Sequence, residues 1–253
     1  MLNGMAPNLI DIKDNFYSYK FVQGKLLSKI ANKQNIKQLL SWSKENLWQS
    51  CNTDSFYDTC LDFYRNKTVN RINDFLSKTN IIDCEETING YLVPSVFSML
   101  DTVNLENICK NHSIPVNYHG DFVLDNILMV NNKKFTLIDW RQSFGSSLSC
   151  GDILYDIAKL NHSIYLNHNI LMNNHFSIQC KKEIIVDIMI SKRLLDCKKA
   201  IIDFCKANDI DMKVVETISC LIWLSMSPLH HYPLNKFLYY FGKLNLYRSI
   251  TDE

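Results

Sequence analysis

The sequence predicts a mainly helical α+β fold that contains one small β-hairpin. Several stretches repeat apolar residues at helical spacing, and one pair of short β-prone runs flanks a polar turn. Hydrophobic residues make up 47% of the 253-residue chain, so a sizeable core is available. The 7 glycines and 5 prolines do not form a glycine-rich linker. This length suits one large domain or two small ones.

Helical spacing recurs along most of the chain. It predicts helices over 26–50 with a break near 32–35, and over 54–79, 96–110, 152–161, 182–208 and 214–226. Residues 87–90 are a predicted break. Before the first helix, residues 1–15 have turn character, and residues 16–24 are a predicted strand that ends in a glycine turn.

The hairpin follows a polar segment with the pattern His-x-Asp-x-x-x-x-Asn, which runs from His119 through Asp121 to Asn126. A second apolar run ends in Ile-Asp-Trp, which contains Asp139. This spacing is typical of a phosphoryl-transfer loop, in which one Asp accepts a hydroxyl proton while an Asn and a second Asp bind metal.

The turn at 131–134 determines the expected pairing of the two strands. Asn tolerates positive φ there, and a turn centred on residues 132–133 is symmetrical. This register pairs Val130 with Phe135, Leu128 with Leu137, and Asn126 with Asp139. Opposed side chains lie roughly 4.5–5.5 Å apart at Cβ. One amide and one carboxylate would therefore meet and suit Mg²⁺. The alternative is an ordinary surface hairpin with polar ends.

Charge and cysteine usage exclude several classes of function. The chain has 27 basic and 26 acidic residues and a net charge of +1, which argues against a nucleic-acid partner. It has neither a polybasic block nor an apolar run of roughly 18 residues, so no membrane association is expected. The 9 cysteines are dispersed without Cys-x-x-Cys pairs, which argues against zinc and predicts reduced thiols in a cytoplasmic protein.

Three motifs in order resemble the aminoglycoside phosphotransferase and choline kinase superfamily, the small-molecule relatives of protein kinases. They are His-Gly-Asp-Phe-Val-Leu-Asp-Asn-Ile-Leu at 119–128, Ile-Asp-Trp-Arg at 138–141, and Gly-Asp-Ile-Leu-Tyr-Asp-Ile-Ala at 151–158. The match is clear over 118–160 and weaker from about residue 15 to the end. The resemblance implies a protein-kinase-like C-terminal lobe.

The resemblance also implies roles for five residues. Asp121 would be the catalytic base, with His119 bracing the loop around it. Asn126 and Asp139 would bind Mg²⁺. Asp156 would support the catalytic loop from a helix start, although an acid that only favours the helix dipole explains it equally well.

In this superfamily a hinge joins the small and large lobes and binds adenine through its backbone. The backbone of Lys20 and Val22 would take that role here, and the alternative is an edge strand with alternating aromatic residues. Residues 1–24 would then be the remnant of a small lobe and hinge, and residues 25–253 the large lobe. No phosphate-covering glycine loop and no Lys–Glu pair precede residue 16.

The helical lobe supplies the acceptor site in such kinases. The candidates are Trp223, His230 and Tyr232, although each also fits a core position or a helix cap. A basic cluster of Arg65, Lys67 and Arg71 could attract an anion, but a solvated helix face is the favoured interpretation. Acids are sparse over 160–253, which argues against a polycationic aminoglycoside. A neutral or anionic sugar or a choline-like alcohol remains open.

The predicted function is Mg²⁺-dependent transfer of the γ-phosphoryl of ATP or GTP to a small-molecule hydroxyl. The alternative is a truncated or non-catalytic kinase-like module. Such a module would only bind ligand, or would need a separate small-lobe polypeptide as its partner.

Overall fold

The structure is a computed structural model that describes residues 4–53, 55–131 and 134–251. The strands are β1 (Leu9–Lys13), β2 (Phe16–Tyr19), β3 (Lys25–Leu26), β4 (Glu86–Ile88), β5 (Tyr91–Val93), β6 (Pro115–Val116), β7 (Ile127–Asn131), β8 (Lys134–Leu137), β9 (Gly151–Asp152), β10 (Phe176–Cys180) and β11 (Ile184–Ile188). The α-helices are α1 (Leu27–Ile30), α2 (Lys33–Asn46), α3 (Phe56–Leu61), α4 (Lys67–Thr79), α5 (Val96–Thr102), α6 (Leu105–Asn111), α7 (Ile153–Tyr165), α8 (His168–Met172), α9 (Lys192–Ala207), α10 (Met212–Met226) and α11 (Leu234–Thr251).

Helices α7, α10 and α11 form the centre of the core. Helix α10 packs against both α7 and α11, and nearly every residue of α7 is buried. The sheets are small: β1–β2, β3–β7–β8, β6–β9, and β10–β11–β4–β5. The predicted fold class, mainly helical α+β, is confirmed.

Most predicted helices are present, with local differences. The expected break near residue 32 is the start of α2, where the Asn32 side chain accepts a hydrogen bond from the Asn35 amide. The predicted helix over 54–79 is a continuous run in which a π-helical turn, Asp62–Asn66, joins α3 to α4. The predicted helix over 96–110 is instead two helices, because Asn104 begins a new one by capping the Asn107 amide.

The prediction of a helix over 182–208 is wrong in its first part. Residues Ile184–Ile188 form strand β11, in which buried and exposed side chains alternate. Strand β11 pairs antiparallel with β10 and parallel with β4, while the expected break at 87–90 is the turn of a β4–β5 hairpin. Three consecutive β-branched residues, Ile184 to Val186, suit a half-buried strand, and the distant partners decide the outcome.

The N-terminal segment contains three strands, where the sequence predicted one strand over 16–24. Strands β1 and β2 form an antiparallel hairpin whose side chains are all exposed. Strand β3 leaves this hairpin and pairs with β7, so that it extends the hairpin that follows the catalytic motif into a three-stranded sheet.

Two expectations from composition need correction. Cys51 and Cys150 form a disulfide with Cα atoms 6.1 Å apart, so the prediction of reduced thiols does not hold for this pair. The window Met212–Leu229 is long and apolar enough to cross a membrane, contrary to the count of apolar runs. However, 72% of that window is buried inside the protein, as in a core helix.

Candidate active site

The hairpin register differs from the prediction by one residue. Ile127 faces Leu137 and Met129 faces Phe135, after which the pairing shifts so that Asn131 faces Lys134. The extra residue in β7 forms a β-bulge, which displaces the ladder by one position. Asn126 therefore bonds through its carbonyl to the Ile138 amide, at 3.0 Å, and does not face Asp139. The centre of the turn, residues 132–133, lies outside the described residues.

His119 connects the catalytic loop to the end of the hairpin. Its Nε2 lies 2.9 Å from the Ile138 carbonyl, and its Nδ1 accepts a hydrogen bond from the Asp121 amide at 3.2 Å. The ring is fully buried, and burial lowers the pKa of His119 to about 4. A neutral ring with its proton on Nε2 satisfies both contacts. His119 thus contacts the loop backbone, which is the bracing position that the resemblance implied.

Asp156 supports the other side of the loop. Its carboxylate accepts hydrogen bonds from the Gly120 amide at 2.7 Å, the His119 amide at 2.8 Å and the Trp48 indole at 3.0 Å. Burial raises the pKa of Asp156 to about 6, and the three hydrogen bonds act in the opposite direction. The side chain is completely buried, so its contacts with the loop are shielded from water.

Two glycines of the motifs are required by close packing. A Cβ at Gly120 would lie 2.4 Å from the Arg141 Cβ, and the φ of +81° is also unfavourable for other residues. A Cβ at Gly151 would lie 2.5 Å from the Tyr118 ring. These contacts bring the loop, the segment after β8 and the start of α7 together at one point.

The Asp121 carboxylate lies between the side-chain amide of Asn126 and the ammonium group of Lys159. The Asn126 Nδ2 donates to its Oδ2 at 2.8 Å, and the Lys159 Nζ lies 2.6 Å from its Oδ1. Lys159 is on α7, one turn after Asp156, and is almost completely buried. The sequence analysis did not identify Lys159. Because Lys159 directly follows the third motif and lies three residues after Asp156, both side chains lie on the same face of a helix.

Asp139 reaches the same cavity by an unusual backbone turn. Its φ of 59° is in the left-handed region, which is uncommon for residues other than glycine. Asp121 and Asp139 both line a cavity of about 340 Å³ between the loop, α4, α7 and α10. The structure therefore brings Asp121 and Asp139 to one cavity and Asn126 into contact with Asp121, although by a different register from the predicted one.

This donor set suits a hard cation such as Mg²⁺. The Asp139 carboxylate and the Asn126 amide oxygen are available, since Asn126 uses its nitrogen to bond Asp121. Mg²⁺ is commonly bound by one or two carboxylates together with water and substrate phosphates. Among the described residues no group of three or more His, Cys, Asp or Glu side chains could hold a metal ion alone. A metal here would need further ligands from substrate or solvent.

The cavity is strongly cationic, which the sequence interpretation did not favour. Lys67 and Arg71 of α4 line it together with Arg141, whereas Arg65 is exposed at the surface, 4.0 Å from Glu106. The prediction of a solvated helix face therefore holds for Arg65 but not for Lys67 and Arg71. The π-helical turn before α4 contributes because it places Phe63 and Tyr64 in the same cavity wall.

The residues predicted for the acceptor pocket do not line this cavity. Trp223 is buried on α10, with its ring 4.7 Å from Phe241 and 5.5 Å from Tyr165. Tyr232 is 71% exposed, and His230 is half-buried in the segment before α11. Helix α10 does contribute to the cavity, but through the helix face that carries Ile218 and Ile222.

The residues predicted to bind the nucleotide follow β2. The Lys20 amide donates to the Asn8 carbonyl at 2.8 Å, so that donor is already used within the N-terminal hairpin. Lys20 is exposed, and Val22 is half-buried. Their neighbours Phe21 and Gln23 line an open groove of about 870 Å³ that continues along Met129 of β7.

Comparisons with known proteins support the fold assignment. No known protein family matches the sequence, and no curated protein matches it either. Among solved structures, the chain is similar to an ethanolamine kinase from Plasmodium vivax, with a TM-score of 0.50 and 15% sequence identity. The match covers 97% of this chain and 67% of that one. This likeness shows that the fold is kinase-like.

Proposed function

We propose that this protein is a small-molecule phosphotransferase that moves the γ-phosphoryl of ATP or GTP to a hydroxyl group. The observation that carries the proposal is that Asp121 and Asp139 line one cavity in a kinase-like fold, with Asn126 hydrogen-bonded to Asp121. The kinase-like structural neighbour acts as an ethanolamine kinase, which supports a small hydroxylated acceptor.

In this mechanism the acceptor oxygen attacks the γ-phosphorus while the bond to the β–γ bridging oxygen breaks. Asp121 orients the hydroxyl and takes its proton late, because the transition state is loose and demands little base strength. Asn126 and Asp139 would hold Mg²⁺, which when bound neutralises charge on the phosphate oxygens. Lys159 keeps the Asp121 carboxylate in place through the ion pair at 2.6 Å.

The nucleotide would lie on the hairpin side of the loop. The groove beside Phe21 and Met129 adjoins β3 and β7, and Asn126 lies immediately before β7. The backbone groups of Val22 have no hydrogen-bond partner among the described residues, so they are the best candidates to bind the nucleotide base. The Lys20 amide is a poorer one because it already bonds Asn8.

The test is phosphoryl transfer by Asp121→Asn and Asp139→Asn variants. Loss of the base should lower turnover by about 10²- to 10⁴-fold, because general-base catalysis contributes an effect of that size. Both side chains are partly exposed to the cavity, so the variants should remain folded, which circular dichroism checks. Turnover close to that of the original protein in either variant would reject the assignment.

A second candidate function is a kinase-like module that acts only with a separate small-lobe polypeptide. It is favoured by the β1–β2 hairpin, which exposes several large apolar side chains, among them Ile10, Ile12 and Phe16. Titration of the isolated chain with nucleotide, with and without Mg²⁺, separates the two candidates. Tight binding by the chain alone favours the enzyme, and absence of binding favours the module.

A further inference from the structure

Three cations line the side of the cavity formed by α4 and the segment after β8. Lys67 and Arg71 lie on α4, and Arg141 follows the hairpin. Within the described part of the chain, none of the three forms an ion pair, whereas Arg65 and Lys159 nearby each have a carboxylate partner. The cavity therefore holds three cations that have no carboxylate partner among the described residues.

Of these three cations, Lys67 lies closest to an aromatic ring. Its Nζ lies 3.8 Å from the centre of the Phe63 ring and 5.5 Å from that of Tyr155, while the Arg141 guanidinium carbon lies 5.1 Å from the Phe63 ring. Burial, together with the charges of Arg141, Lys159 and Arg71, lowers the pKa of Lys67 to about 7. Like charges this close together repel one another, and a bound anion would relieve that repulsion.

The carboxylates of the cavity do not neutralise these cations. Asp121 is paired with Lys159, and Asp139 is exposed at the mouth, where it would serve a metal. The α10 side of the cavity is apolar, with Ile218, Leu221 and Ile222. The volume of about 340 Å³ is at the lower end of the roughly 300–1,000 Å³ typical of small-molecule sites. A ligand of metabolite size with one anionic end fits this distribution.

We infer that the acceptor is a small hydroxylated compound that carries a phosphate or a carboxylate. Lys67, Arg71 and Arg141 bind the anionic group, and the hydroxyl points to Asp121 in the same cavity. This inference deepens the proposed function and rests on it for the role of Asp121. An amino alcohol, which is the substrate type of an ethanolamine kinase, carries a positive charge, and these cations would repel it.

The experiment is calorimetric titration of the full chain with two matched series of compounds. One series is glycerol, glycerol 3-phosphate, glycerate and ethanolamine, and the other is glucose, glucose 6-phosphate and gluconate. The phosphorylated or carboxylated members should bind at least about tenfold more tightly than the neutral ones, since hydrogen bonds to charged groups supply that much. Comparing the phosphates with the acids identifies which anion the site takes.

Variants test whether the cations of the cavity cause the preference for anionic compounds. Lys67→Met and Arg71→Gln should each lower the affinity for the anionic compounds about tenfold. The Lys67→Arg variant keeps the charge and should retain most of the affinity, which separates charge loss from misfolding. Arg65→Ala is the matched control, because Arg65 is in the same helical run but outside the cavity, and it should change nothing.

Several results would overturn the inference. These are equal or tighter binding of neutral compounds or ethanolamine, no binding of any anionic compound, and variants that weaken only the affinity for Mg²⁺–ATP. The titrations contain no nucleotide, so they do not depend on turnover. Anion binding without phosphoryl transfer would therefore reject the proposed function alone, and transfer to neutral acceptors would reject the anionic acceptor alone.

Discussion

The proposed catalytic loop at 118–126 and the N-terminal hairpin at 9–19 are held in opposite ways. Fully buried side chains hold the loop, with His119 on one side and Asp156 on the other. The hairpin has no buried side chain and is held by its own backbone hydrogen bonds and by one between Lys20 and Asn8. The core therefore determines the geometry of the loop, and it contributes little to the position of the hairpin.

The residues proposed for catalysis and those proposed for nucleotide binding therefore lie on opposite sides of this difference in structural support. The residues proposed to act on the acceptor belong to the rigid part of the fold, whereas those proposed to bind the nucleotide belong to the exposed part. Elements with few buried contacts open at low free energy, so they are suited to move or to be covered by a partner. Three predictions test whether the two regions differ as sharply in solution.

The largest effect is expected for Asp156→Ala. This change leaves three buried donors without a partner, namely the Trp48 indole and the amides of His119 and Gly120. The free energy of unfolding should fall by at least about 3 kcal/mol, because each buried group left unpaired costs about 1–3 kcal/mol. Denaturant titration measures it.

The control for this change is Asp203→Ala. Asp203 is exposed and pairs with Lys33 and Lys37 at the surface, where removal of a pair costs about 1 kcal/mol or less. If Asp156→Ala were no more destabilising than Asp203→Ala, the loop would not depend on its buried support.

The second effect is a pH dependence caused by His119. Its pKa is about 4 in the folded protein against the usual 6.5, so between these values the unfolded chain binds a proton that the folded chain does not. The contribution of His119 to the free energy of unfolding is fully present above pH 6.5. It falls by up to about 3 kcal/mol as pH falls towards 4. Denaturant titration across this range measures the loss.

Asp156 acts in the opposite direction over much of the same range. Its pKa is raised from 3.8 to about 6, so its ionisation destabilises the folded state as pH rises. The comparison of the original protein with His119→Gln cancels this contribution. Relative to that variant, the original protein should lose stability as pH falls, and parallel pH curves for the two would contradict the prediction.

The smallest effect is expected in the N-terminal hairpin. Ile12 and Phe16 are 66% and 80% exposed, so replacing both with Ser should change the free energy of unfolding by no more than about 0.5 kcal/mol. A matched change in the core, Phe122→Ser, should be far more harmful because Phe122 is fully buried. A large loss from the hairpin variant would mean that another surface covers these side chains in solution.

Much of the fold could be predicted because its signals are local. The amphipathic spacing of α2, α4 and α10 follows from short stretches of sequence, and so does the hairpin after the catalytic motif. Strand β11 was mistaken for a helix because its partners, β10 and β4, lie elsewhere in the chain. The bulge in β7 was also missed, since no glycine or other turn residue marks it.

By itself the sequence determined the helical class, the three motifs and the residue types that can bind a metal and accept a proton. Those features depend on neighbours within a few residues, which a single chain displays directly. Only the tertiary structure decided that Lys159 pairs with Asp121 and that Lys67 and Arg71 turn into the cavity. Charges far apart in sequence repel or attract only after packing brings them together and removes water, and no local pattern records that step.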